Sequence, residues 1–362
     1  LGQWYKFSIV RNNGTTLLYV DGEGTTTYTD TNNYAGTLNY IGGYSAVGSN
    51  LGTFYLSDLK VVNGANSVVY VAGQAPNLTP LTNTSNTQLL TFQTNGAANN
   101  STFYDKSGFA ANTIISRSGD VTSGTFSPYG DNWSYYFNGS SDNLSITSAP
   151  GIVLNAANPT FTIEFWIYCT STGLVLDKGS QPSVSVPNYR VSFDGTTVSF
   201  LWGNGDGSNY SSYSTSAASV SLNQWYHVAV VSSSGSMNIY INGVSKATGT
   251  LATWTDNGKP LYISGRWGTD LFFGGYLSNL RIINGTAIVP PVGGPTAPVS
   301  AVANTTLLTG NSNRVVDNSP VNYSLGGAIS SVQKFSPFST VTVPKYYSTK
   351  FNGTSDLLTV TS

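Results

Sequence analysis

In Phe161-Thr162-Ile163-Glu164-Phe165-Trp166-Ile167-Tyr168, residues Phe161, Ile163, Phe165 and Ile167 fall on one side of an extended chain, and Thr162, Glu164, Trp166 and Tyr168 on the other. That period of two predicts a strand with one face in a core. Tyr189 to Phe193 and Val198 to Trp202 alternate in the same way on either side of Asp194-Gly195, a dipeptide suited to a tight hairpin turn. Trp225 to Val231 and Met237 to Ile241 predict another pair of strands, joined by the Ser-Gly-rich Ser232 to Ser236. Leu261 to Ser264 and Leu277 to Ile283 complete the set, and no segment keeps a helical period. A large all-β, antiparallel, two-sheet sandwich is therefore expected.

The pattern repeats. Gln3-Trp4-Tyr5, Leu18-Tyr19-Val20-Asp21-Gly22 and Leu59-Lys60-Val61-Val62-Asn63-Gly64 return as Gln224-Trp225-Tyr226, Ile239-Tyr240-Ile241-Asn242-Gly243 and Leu280-Arg281-Ile282-Ile283-Asn284-Gly285. Leu89-Leu90-Thr91, Phe126-Ser127-Pro128 and Phe137-Asn138-Gly139 return as Leu307-Leu308-Thr309, Phe335-Ser336-Pro337 and Phe351-Asn352-Gly353. The offset is about 215–220 residues, one domain length. On this reading 1–72 is the closing part of a first repeat, 87–290 a complete repeat and 305–362 the opening part of a third. The proline-bearing stretches 73–86 and 291–304 are expected to be extended connectors that hold the domains on a semi-rigid string. A start at Leu1 suits a segment of a longer chain, and each truncated end is expected to be completed by that longer chain or by a neighbouring copy.

Composition narrows the function. Charged residues make up 9% of the chain and the net charge is −1, without a Lys/Arg cluster, so nucleic acid and anionic membranes are not the expected partners. No apolar run is long enough to insert as a membrane-spanning helix. Cys169 is the only cysteine, which excludes an intrachain disulfide and a thiolate metal cage; its apolar strand predicts a buried, inert thiol.

Phe137-Asn138-Gly139 to Asp142-Asn143-Leu144, Phe161 to Trp166, Trp225-Tyr226-His227-Val228-Ala229, Ile239 to Gly243 and Leu277 to Asn284, taken in order, resemble the laminin-G-like, concanavalin A-like jelly-roll superfamily. Leu89 to Phe92 with Asp105-Lys106-Ser107-Gly108 resembles its opening strands. The wording Leu-Leu-Thr, Phe-Ser-Pro-Phe and Asn-Leu-Arg-Ile-Ile-Asn-Gly-Thr-Ala further resembles tandem repeats in structural or appendage proteins of tailed bacteriophages, especially marine ones. The resemblance implies tandem jelly-roll sandwiches of a virion surface or an extracellular fibre, in a superfamily of lectins, carbohydrate-binding appendages, adhesion domains and some glycosidases.

Glycosidases of this architecture need two carboxylates in one cleft. Glu164 is the only Glu in the complete repeat, and its strand holds no second acid. Asp177 or Asp194 would have to approach from another strand, and Asp194 is explained by its turn. His227, the single histidine, stands where the first repeat has Lys6, so it reads as a solvent-facing strand residue rather than a general base. No enzyme is expected. Calcium is implied by the resemblance, with candidates recurring between repeats: Asp105 with Asp317, Asp142 with Asp356, and Asp58 with Asn279. Glycan contacts are expected at Trp202, Asn204, Asp206 and Asn209, at Trp254, and at Trp267, where aromatic rings accompany polar loops. The expected function is a non-enzymatic repeat array that binds surface polysaccharide weakly and many times over. The alternative is a purely architectural subunit contacting neighbouring copies in a larger assembly.

Overall fold

The computed structural model describes residues 2–33, 38–43, 51–64, 79–92, 103–108, 114–124, 126–127, 129–130, 132–154, 159–180, 187–204, 209–338 and 348–361. It forms two compact units, one of residues 131–340 with 1–3, the other of residues 4–130 with 341–362.

The first unit is a sandwich of antiparallel sheets, as the alternation predicts. An eight-stranded sheet runs in the order Val244–Thr250, Ser236–Ile241, Trp225–Ser233, Phe161–Cys169, Gly274–Asn284, Ser134–Asn138, Ser331–Gln333, with Thr305–Thr309 also pairing Gly274–Asn284. A seven-stranded sheet runs Tyr210–Ser214, Val198–Gly203, Tyr189–Phe193, Gly173–Lys178, Leu261–Ile263, Asn143–Ile146, Gly326–Ala328. Phe161, Ile163, Phe165 and Ile167 are buried, and Phe161 stacks on Trp202 of the other sheet with ring centroids 5.6 Å apart, which makes theirs the inner face. Burying such a side chain is worth about 1.5–3 kcal/mol, so the alternation alone is enough to seat this strand centrally. Cys169 is buried, and burial pushes its thiol up, as its sequence context predicts.

Two expectations about organisation change. The Thr87–Thr91 strand, expected in one sandwich with Leu277 to Ile283, pairs with Leu59–Val62 in the other unit. Its repeat counterpart Thr305–Thr309 takes the corresponding place against Gly274–Asn284, so the unit runs to 340 rather than closing at 290, and it opens near 131 rather than at 87. The stretch 291–304 is correspondingly not a spacer between beads. It is a strap across the outer face of the eight-stranded sheet: Gly293 N–H donates to the Asn242 carbonyl (2.8 Å), Val299 N–H to Asn279 Oδ1 (2.9 Å), and Arg281 Nη1 to the Ser300 carbonyl (2.6 Å). Proline suits a strap because its backbone here makes no ladder. Residues 73–78 of the other expected connector lie outside the described residues.

The second unit uses the two ends of the chain. Ser348–Asn352 pairs with Thr53–Leu56 and Thr122–Gly124, and Leu357–Thr361 pairs with Leu38–Ile41 and Ile114–Ser118. The opening words of the third repeat thus close on the closing words of the first, within one unit. Phe92, Phe103, Val121, Phe351 and Leu358 form its core. A further sheet, Phe7–Asn12, Thr15–Val20 and Glu23–Thr29, has three strands.

Candidate functional site

The register of the seven-stranded sheet puts one row of side chains across four strands of its outer face. Ser145 stands opposite Tyr262, Tyr262 opposite Asp177, and Asp177 opposite Arg190. The next row inward in register, Leu144, Ile263, Leu176 and Val191, is buried core. The period of two fixes this division, since directly opposed residues share a face.

Asp177 is fully buried at the floor of the row. Its Oδ2 accepts from Arg190 Nε (2.6 Å) and Ser180 Oγ (2.9 Å), while Oδ1 has no hydrogen-bond partner within the protein. Burial pushes its carboxyl above the ordinary range, and Arg190 offsets only part of that. Beside it the loop after Leu261–Ile263 carries Arg266, whose guanidinium forks onto Asp270 (Nε to Oδ1, 3.0 Å), and Trp267, whose ring lies 6.0 Å from that of Tyr262. The Arg266 and Asp270 side chains are 29% and 44% exposed, so this pair is open to solvent. Trp267 takes a left-handed φ of +55°, an uncommon backbone conformation for a bulky residue.

The expected glycan residues divide. Trp267 stands in this outer-face cluster. Trp202 does not: it is 1% exposed, stacked on Phe161, and its Nε1 donates to the Ala252 carbonyl (2.6 Å), so it belongs to the core. Its position follows from the alternation of Val198, Phe200 and Trp202, which points all three inward. Asn204 is half-buried with its N–H on the Asn209 carbonyl (3.2 Å), Asn209 is exposed, and Asp206 lies outside the described residues. Trp254 is half-buried in the loop before Leu261–Ile263, at the other end of that strand from Trp267, so the two rings are not brought together. In that loop Asp256 pairs with the buried Lys178 (2.6 Å), and Asn257 Nδ2 donates to the Gly179 carbonyl (2.6 Å). Burial holds the Lys178 ammonium below its usual range, and Asp256 restores part of it.

His227 is the clearest correction. It is 1% exposed, with Nε2 3.2 Å from Glu164 Oε2, and Arg281 also pairs with Glu164. The strap covers the cluster so closely that a Cβ on Gly294 would lie 2.7 Å from His227 Cβ. A strand residue that faces outward in register is buried here because a loop lies over it. Burial pushes the Glu164 carboxyl up, but the bonds from His227 and Arg281 outweigh it and hold it below the ordinary carboxylate value.

The recurring calcium candidates do a different job. Asp317 Oδ1 accepts from the N–H groups of Leu308 (2.9 Å) and Ser319 (2.8 Å), and Asp105 Oδ1 likewise from Leu90 (3.0 Å) and Ser107 (2.9 Å). Asp142 Oδ2 accepts from Asn138 N–H (3.0 Å) and Ser330 N–H (2.8 Å); Asp356 accepts from Asn352 N–H (3.0 Å) and Asp120 N–H (2.8 Å). Asn279 Oδ1 holds the strap at Val299, and burial together with the Asp58 carboxylate pushes the Tyr129 hydroxyl up. Calcium requires six to eight oxygens, and among the described residues no three His, Cys, Asp or Glu side chains gather. In the structure the four recurring aspartates staple turns through backbone N–H groups.

Asp177, Arg190 and Tyr262 carry the cluster, and of these only Asp177 drew notice in the sequence. A signal was present: in a chain with 9% charged residues, charges inside strands such as Gly173–Lys178 and Tyr189–Phe193 stand out.

Residues 137–288 match the family model described as the concanavalin A-like lectin/glucanases superfamily. The match begins within the Ser134–Asn138 strand, close to the start of the observed unit. Similar solved structures include a heptameric SAP-like pentraxin from Limulus polyphemus (19% identity, TM-score 0.34, 43% of this chain and 77% of that one). Another is a protein of Bacteroides ovatus ATCC 8483 assigned a carbohydrate-binding role in its description (17%, 0.38, 57% and 60%). A third is the botulinum neurotoxin type C chain whose cell entry depends on two ganglioside molecules (19%, 0.33, 53% and 47%). The chain thus spans about half to three-quarters of these structures. No curated protein matches it.

Proposed function

We propose that the 131–340 unit binds glycan without cleaving it, as one repeat of an array on a virion surface or extracellular fibre. The observation that carries this reading is the outer-face row Ser145, Tyr262 and Arg190, set over the buried Asp177 and flanked by Trp267 and the Arg266–Asp270 pair. Aromatic faces stack on pyranose rings, while a guanidinium and carboxylates orient hydroxyl groups. The matched superfamily holds both lectins and glucanases, and the acids favour the first. Glu164 faces out from the eight-stranded sheet under the strap and is committed to Arg281 and His227, whereas Asp177 faces out from the opposite sheet. Two carboxylates on opposite outer faces cannot flank one glycosidic bond, which needs them within roughly 5–9.5 Å. Asp194 accepts from the N–H groups of Thr196 (2.9 Å) and Thr197 (2.7 Å) and serves its turn.

Such an open site binds weakly, with a Kd on the order of 0.1–1 mM, and repetition along a chain supplies avidity. Titrating the whole chain with bacterial surface polysaccharides tests this, with Trp267→Ala expected to weaken binding at least tenfold and leave unfolding unchanged. Release of reducing ends would overturn the non-enzyme reading. Failure to bind any polysaccharide, alone or in tandem arrays, would favour a purely architectural role.

A further inference from the structure

A strand pair from far along the chain fills a slot in the second unit. Ser348–Asn352 lies between Thr53–Leu56 and Thr122–Gly124, and Leu357–Thr361 between Leu38–Ile41 and Ile114–Ser118. The pair supplies Phe351 and Leu358, both fully buried, to a core shared with Phe92, Phe103 and Val121. Its repeat counterpart, Ser134–Asn138 with Asn143–Ile146, fills the same slot in the 131–340 unit from that unit's own start. Register agrees: Thr349 stands between Leu56 and Ser123 as Tyr135 stands between Leu277 and Val332. So do the closing bonds. Ser348 Oγ donates to the Phe126 carbonyl as Ser134 Oγ does to that of Phe335, and Asp120 N–H donates to Asp356 as Ser330 N–H does to Asp142 (2.8 Å each). One chain thus holds two slots and two strand pairs of one design, and these bonds run between pair and slot rather than to the chain leading to the pair.

We propose that two copies of this chain exchange the 348–361 strand pair, each copy completing the other's second unit in a closed dimer. The seated pair itself fixes the occupant, since a second copy brings the identical residues. Exchange makes in trans the contacts made in cis and leaves neither slot empty, so the two forms differ chiefly in the entropy of association and tethering. The tether works against the cis form. The whole 131–340 unit stands between slot and pair along the chain, and effective concentration falls as a tether lengthens. The Ser134–Asn138 and Asn143–Ile146 pair has no such tether, because it leads within the same unit to Phe161–Cys169. Exchange is therefore confined to the 348–361 pair. This inference is independent of the glycan reading, whose residues lie in the other unit.

Ser116 and Thr359 test it, because they stand directly opposite one another where slot and pair meet. A copy with Ser116→Cys is co-expressed with a copy with Thr359→Cys. Neither copy alone holds the opposed cysteines, so a disulfide between these two positions forms only across copies. That mixed disulfide is expected in at least tenfold higher yield than the one from Ser116→Cys with Lys350→Cys, since Lys350 opposes Tyr55 and Thr122 instead. Light scattering on the wild-type chain is expected to give a dimer whose fraction rises with concentration. In that dimer the amides of 349–351 and 357–360 are expected to be as protected from exchange as in the monomer. A monomer at every concentration, cross-linking no better than the Lys350→Cys control, or loss of that protection in the dimer would overturn the proposal.

Discussion

Val230 and Ile9 stand at the same place in the repeat with the same cross-strand partner type, yet Val230 is fully buried and Ile9 is 75% exposed. The contrast extends along both units. Phe351 opposes Phe54 as Phe137 opposes Gly275, and Leu358 opposes Ile41 as Leu144 opposes Ile263. Leu59–Val62 meets Thr87–Thr91 with the same register shift found between Gly274–Asn284 and Thr305–Thr309. Register is therefore local, set by the words on the paired strands and the turns between them. Burial is not. It depends on the central Phe161–Cys169 strand, which joins Trp225–Ser233 to Gly274–Asn284 in one unit, while the corresponding strands of the other unit fall into separate sheets.

The sharpest way to break this comparison is to place a charge at both members of the pair. Val230→Asp should cost about 4 kcal/mol by burying an unpaired carboxylate, and Ile9→Asp should change stability by about 0.5 kcal/mol or less, both read from denaturant unfolding followed by hydrogen exchange in each unit. Equal costs would mean that Ile9 is covered.

The buried acid comes next. Glu164→Gln leaves Arg281 without its counter-charge and should destabilise the 131–340 unit by about 3 kcal/mol. The sign with pH follows from the depressed folded value: the stabilisation is present above the ordinary carboxylate value of 4.5 and is lost as pH falls through the lower folded value. The raised carboxyl of Asp177 acts oppositely, costing stability at neutral pH and easing as pH falls. Acid unfolding of the wild-type unit should thus have a steeper limb than that of Glu164→Gln, and identical limbs would remove Glu164 from this role.

Smaller effects sharpen the parallel between units. Asp317→Ala removes acceptors from Leu308, Ser319 and Tyr323 N–H groups and should cost about 1–3 kcal/mol, with Asp105→Ala doing the same in the other unit. Millimolar calcium should leave both melting midpoints in place, and a calcium-dependent rise would restore the metal reading. Trp267→Ala should likewise change stability by about 0.5 kcal/mol or less, set against the weakened polysaccharide binding expected of it.

Much of the fold was legible in the chain. The alternation of Phe161 to Tyr168 and the hairpin at Asp194-Gly195 appear as read, because side-chain direction in a strand follows from backbone geometry alone. The candidate site was less legible. Trp202 looked like a loop aromatic because Gly203 and Asn204 follow it, but its parity with Phe200 already placed it in the core. Tyr262 and Arg190 come together with Asp177 only across separate strands, through a register that no local segment contains.

The sequence by itself determined the strands, their faces and the repeat, since each depends on near neighbours along the chain. Only the tertiary structure decided where the units begin and end, that a proline-rich stretch lies as a strap over His227 and Glu164, and that the two ends of the chain share one unit. Those outcomes depend on which strand edge meets which partner, a choice set by long-range pairing and burial rather than by the local pattern of residues.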